Sequence, residues 1–197
     1  IRRCSFCGVW KIEKEITFKK SIKKEICSNR LVFFDNNLLA NPYIKNILNE
    51  IASLKWNGKA IRCEAICGID YRILLKDPEL AELLKKARFE NIRIAWDWHF
   101  NKWKEIKKAL ELLESVGYRS RDIFVFMIYN WEIPFKEMEK KRIKCWEWKI
   151  QIADCRFRPL DQTYDNYGPN KEQTEKDYYI HPNWTDVEVK QFRKNVR

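Results

Sequence analysis

Glycine and proline are scarce, five and six among 197 residues, which excludes a collagen-like, loop-dominated or linker-rich chain. Nowhere do 18 apolar residues run together, so no membrane-spanning helix is expected. Histidine occurs twice, at His99 and His181, which leaves little room for a His-rich zinc site or a Ser-His-Asp triad. The glycine-rich fingerprint GxGxxG is missing, as is the phosphate loop GxxxxGK, so a dinucleotide site and a P-loop are not expected. A Gly-x-Ser-x-Gly nucleophile elbow is missing too. No secretory or organelle signal is visible, and an opening at Ile1 in place of Met reads as a missing natural N-terminus.

What is present is a well-stocked core. Nine Trp, eight Tyr and eleven Phe within a 45% hydrophobic composition exclude wholesale disorder and suit one well-filled domain. The net charge is +11, divided as +6 over residues 1–30, +1 over 31–100, +5 over 101–160 and −1 over 161–197. Such a chain can meet a polyanion such as tRNA, or simply carry a solvated Lys/Glu surface. The seven cysteines are odd in number and form no secreted framework. They read as reduced cytoplasmic thiols, most of them small buried hydrophobes. Cys4 and Cys7 differ, since they crowd into a polar, basic stretch bounded by Gly8.

Short apolar runs alternate with amphipathic ones. Strands are expected at Arg30–Phe34, Ala60–Ile66, Asn91–Trp96, Ile123–Tyr129 and Trp148–Ala153. Helices are expected after Asn41-Pro42, with Ile44, Ile47, Leu48, Ile51 and Leu54 on one face, and after Asp77-Pro78. A third runs from Asn101 to the C-terminal cap Gly117, and a fourth from Pro134 to about Cys145. The strand starts recur about every thirty residues, the length of one strand–helix unit returning to a parallel neighbour. The pattern implies a parallel α/β fold, either an open doubly wound sheet or a barrel.

In such folds active sites gather at the carboxyl ends of the strands. Polar groups follow each strand here: Asp35-Asn36-Asn37, then Glu64 with Asp70 and Arg72, then Asp97 and His99, then Asn130 and Glu132, then Asp154, Arg156 and Arg158. Single members of this set read equally well as helix caps or loop solvation.

The opening Cys4-Ser5-Phe6-Cys7 then takes on meaning. It resembles the radical S-adenosylmethionine (SAM) superfamily, whose C-x3-C-x-aromatic-C loop follows the first strand of a partial (β/α)6 barrel. Cys4, Phe6 and Cys7 match the last two cysteines and the aromatic, with the first cysteine expected just ahead of Ile1. The likeness covers residues 1–160 and implies a partial TIM-like barrel of parallel strands lacking its first strand, followed by a C-terminal extension over 161–197.

The resemblance further implies a 4Fe–4S cluster held by Cys4 and Cys7, with one iron open to SAM. Phe6 would lie against the adenine. Asp35-Asn36-Asn37 occupies the place of the family's Gly-Gly-Glu segment without its glycines. Glu64 and Arg72 would pair with the amino or carboxylate group of SAM, and Asp97 with the ribose. Asn130 and Arg156 are further SAM or substrate contacts. A flavodoxin- or ferredoxin-type donor would supply one electron, and a 5′-deoxyadenosyl radical would abstract hydrogen from the substrate.

Two rival readings stand beside it. One is a zinc-dependent nucleic-acid-binding module using Cys4, Cys7 and two further ligands on a basic surface. The other is a metal-free α/β enzyme whose rim carboxylates do acid–base work. In the C-terminal stretch, Thr185 reads as the N-cap of a short amphipathic helix reaching Val196. Tyr178, Tyr179 and Trp184 are expected to pack on the domain or cover its mouth.

Overall fold

A computed structural model describes residues 4–12 and 15–197. The opening Ile1–Arg3 therefore lies outside the described residues. After the short helix α1 (Val9–Ile12) comes β1 (Arg30–Phe33), then α2 (Ile44–Ser53) and a hairpin of β2 (Lys55–Trp56) and β3 (Lys59–Ala60). The chain continues through β4 (Arg62–Ala65), α3 (Tyr71–Lys76), α4 (Glu79–Lys86), β5 (Ile92–Ala95) and α5 (Trp103–Ser115). It ends with β6 (Ile123–Tyr129), α6 (Phe135–Glu147), β7 (Gln151–Arg156) and α7 (Asp186–Val196).

Five strand positions fall where alternation puts them, and β6 matches its expected bounds at both ends. The sheet does not form as expected. Among the described residues there is no (β/α)6 barrel but three small sheets: β1 with β4, β2 with β3, and β5–β6–β7. The first and third are parallel, with Arg30 opposite Arg62, Ile92 opposite Ile123 and Phe124 opposite Gln151, whereas the hairpin is antiparallel.

The physical reason for the split lies between β4 and β5. Among the described residues no strand ladder links them, and their edges meet through two isolated bridges, Cys63–Phe89 and Ile69–Ile94. Just past β4 the chain turns out of line at Gly68, whose φ of +87° is the left-handed region open to glycine. A Cβ there would meet the Phe126 ring at 3.0 Å. The hairpin went unread in the sequence although its Asn57-Gly58 turn, with φ of 48° and 77°, is the strongest short-range hairpin signal.

Helix ends follow their sequence signals. Gly117, at φ 92°, closes α5 while Tyr118 N–H donates to the Leu113 carbonyl at 3.1 Å. Thr185 caps α7 in a reciprocal capping box with Glu188. The unread helix α3 is capped by Asp70, whose carboxylate accepts from Arg72 N–H. Ile44, Ile47, Leu48 and Ile51 of α2 are all buried, each contributing roughly 1.5–3 kcal/mol relative to exposure. Tyr178, Trp184, Val189 and Phe192 of the C-terminal stretch enter the same core as the strands. Among the described residues no helix is long and apolar enough to cross a membrane.

Candidate active site

The site is built on the loops that leave β1, β4 and β5 at their carboxyl ends. They enclose a cleft of about 480 Å³ with the N-terminal segment. From that segment come Cys4, Phe6, Cys7 and Trp10; from the first loop Asn36 and Asn37; from the second Cys67, Asp70 and Arg72; from the third Asp97 and Trp98.

Cys4 and Cys7 share one tight turn, closed by a 3.0 Å hydrogen bond from Cys7 N–H to the Cys4 carbonyl. The Trp10 indole N–H donates to that same carbonyl at 3.2 Å. Both thiols are partly buried and none of the seven cysteines is in a disulfide. Phe6 between them packs on Trp98, with centroids 6.3 Å apart, and edge-on to Trp131 at 6.0 Å.

Arg72 is held by Asp70 through two bonds, Nε to Oδ1 at 2.7 Å and Nη2 to Oδ2 at 2.5 Å. That bidentate grip fixes the guanidinium plane at the cleft wall. The Asp35 carboxylate accepts from Asn37 N–H at 2.9 Å. It thereby orders the loop without lining the cleft. The Asn37 side-chain oxygen is buried and has no hydrogen-bond partner among the described residues. An orphaned acceptor in a cleft is costly unless a ligand donates to it.

Asp97 is half-buried. Burial lifts its carboxyl from the ordinary 3.8 to about 6, against the pull of Lys141 and Arg72. Behind it sits Lys141, wholly buried in α6. Its ammonium donates to the Trp96 carbonyl at 2.5 Å and lies 5.2 Å from the Trp96 ring centroid. Burial lowers its pKa from 10.5 to about 8, opposed by Asp97.

Of the eleven residues to which the resemblance gives site roles, seven thus line one cleft: Cys4, Phe6, Cys7, Asn36, Asn37, Arg72 and Asp97. The other four do not. Glu64 pairs with Arg93 at 2.5 Å on the sheet. Asn130 is a structural hub, its amide donating to the Phe157 and Tyr179 carbonyls and its oxygen accepting from His181 N–H. Arg156 is claimed by Asp165 at 2.6 Å and by the Tyr167 and Tyr178 rings. The Cys145 and Cys63 thiols are buried and pushed up to about 12, but Cys27, Cys67 and Cys155 are exposed, so most cysteines are not core.

Sequence reasoning missed Cys67, Trp98 and Lys141. Cys67 follows β4 at the same rim position as the other candidates, a signal that was available. Lys141 carries none, because one more lysine in a basic helix reads as surface.

The cleft thus gathers two thiols, an amide acceptor, a guanidinium and a carboxylate around one opening. Cys4 and Cys7 can supply two thiolates to a metal group. Among the described residues no set of three His, Cys, Asp or Glu side chains stands close enough to hold a metal ion. The chain matches no protein-family model, no curated protein and no solved structure.

Proposed function

We propose that this cleft binds SAM beside a 4Fe–4S cluster and that the protein is a radical SAM enzyme. The observation that supports this most is convergence: two cysteines on one turn, with an aromatic between them, face an amide, a guanidinium and a carboxylate at the ends of parallel strands. Cys4 and Cys7 would each hold one iron of that cluster.

When bound, a reduced 4Fe–4S cluster would supply one electron to the SAM sulfonium. The chain's own residues bind and orient. Asn37 Oδ1 accepts from the ligand ammonium, and Arg72, aligned by Asp70, meets its carboxylate. Phe6, braced by Trp98 and Trp131, offers a face to the adenine. Asp97 accepts from the ribose hydroxyls once ionised. Lys141 behind it is wholly buried and bonded to the Trp96 carbonyl, so its ammonium is kept out of the cleft.

Anaerobic reconstitution of the natural chain, with any residues that precede Ile1, tests this. The expected result is broad absorbance near ~400 nm with roughly four irons per chain, lost in Cys4→Ser and Cys7→Ser. Stoichiometric zinc without iron would replace it with a zinc-dependent binding module. Absence of both would leave Asp97, poised near 6, as the acid–base group of a metal-free enzyme.

A further inference from the structure

We infer that a groove along α7 binds the phosphate backbone of a single-stranded RNA. This goes beyond the reading of the cleft and does not depend on it. The groove, of about 710 Å³, lies between α7 and the loop over residues 167–172. Four of its cations are Lys190, Arg193, Lys194 and Arg197, spaced i, i+3, i+4 and i+7, which puts them along one helix face. Val189 and Phe192 bury the opposite face. Lys171 adds a fifth cation from the facing loop.

Folding makes this concentration. Residues 161–197 carry a net charge of −1, so the segment is not basic as a sequence. In the groove, however, five cations face two carboxylates, Glu172 and Asp186. Asp186 is already committed, accepting from Lys190 at 2.6 Å, Tyr178 at 2.9 Å and Gln173 N–H at 3.0 Å. Lys194 and Arg197 are exposed and make no ion pair among the described residues.

Two features point to a nucleic-acid strand over a simple ion. The four cations of α7 extend over about 10 Å at 1.5 Å per residue, a line and not a point. Arg193 lies 5.4 Å from the centroid of the Tyr167 ring, which also packs against Arg156 at 4.7 Å and Tyr178 at 5.1 Å, so the ring braces the guanidinium at the groove wall. A braced guanidinium within a line of cations suits a run of phosphates.

The test is fluorescence anisotropy with a labelled oligouridylate about twelve nucleotides long, across a salt series. Lys194→Glu with Arg197→Glu should weaken binding by about ten-fold or more at low salt. It should also make the log–log salt slope shallower by about 1.4, at roughly 0.7 per lost phosphate contact. Both residues are exposed, so an unchanged thermal midpoint certifies the fold of the variant. A matched control, Lys23→Glu with Lys24→Glu, should bind as the unaltered chain does. Equal loss in both variants would mean bulk charge, and competition by inorganic phosphate as effective as RNA per phosphate would mean an ion site; either overturns the inference.

Discussion

The wholly buried ammonium of Lys141 is tied at 2.5 Å to the carbonyl of Trp96, the residue before Asp97. The bond places a cation behind the cleft carboxylate, and burial taxes both charges at once. Asp97 is pushed up to about 6 and Lys141 down to about 8. The pair therefore reports on the cleft through pH.

Asp97 should titrate near 6 in a carboxyl-carbon NMR series, and Lys141→Met should move that midpoint higher by removing an attracting cation. A midpoint near 4 in the unaltered chain would show the carboxyl to be solvated.

The stability linked to Lys141 has a definite sign. Its folded pKa lies below the ordinary 10.5, so its contribution is present above about 10.5 and lost as pH falls through about 8. The unfolding free energy of the unaltered chain should rise relative to Lys141→Met between those values. Urea titrations at the two ends of the window measure it, and parallel curves would contradict a buried ammonium.

Asn37→Ala should leave stability nearly unchanged, because the lost oxygen has no partner among the described residues. Under the proposed function the same change should weaken SAM binding by about ten-fold or more, the loss of one hydrogen bond to a charged group. Calorimetric titration of the reconstituted protein decides. Unchanged affinity would remove Asn37 from the site.

Asn130→Ala should act in the opposite way, costing about 2–4 kcal/mol of stability. It strands the Phe157 and Tyr179 carbonyls and the His181 N–H, and it puts alanine at φ +58°. Denaturant unfolding checks this. A loss of SAM binding with full stability would instead restore Asn130 to a ligand role.

Much of the secondary structure was legible. The apolar face of α2, the Gly117 stop of α5 and the Thr185 cap of α7 are local devices, readable within a few residues. The cleft was partly legible too, since residues directly after parallel strands share a rim whichever way the strands are paired. Glu64 and Arg156 were misread because opposite charges found them across the fold: Arg93 is 29 residues from Glu64, and Asp165 nine from Arg156.

The sequence by itself determined the approximate places of five strands and of the helices with clear end signals, and which loops carry polar groups, because periodicity and capping act over short range. Tertiary structure decided three other things. It broke the sheet between β4 and β5, it buried Lys141 behind Asp97, and it sorted the cations of α7 from the acids around them. Each depends on contacts between residues distant in the chain, where packing and desolvation outweigh local preference.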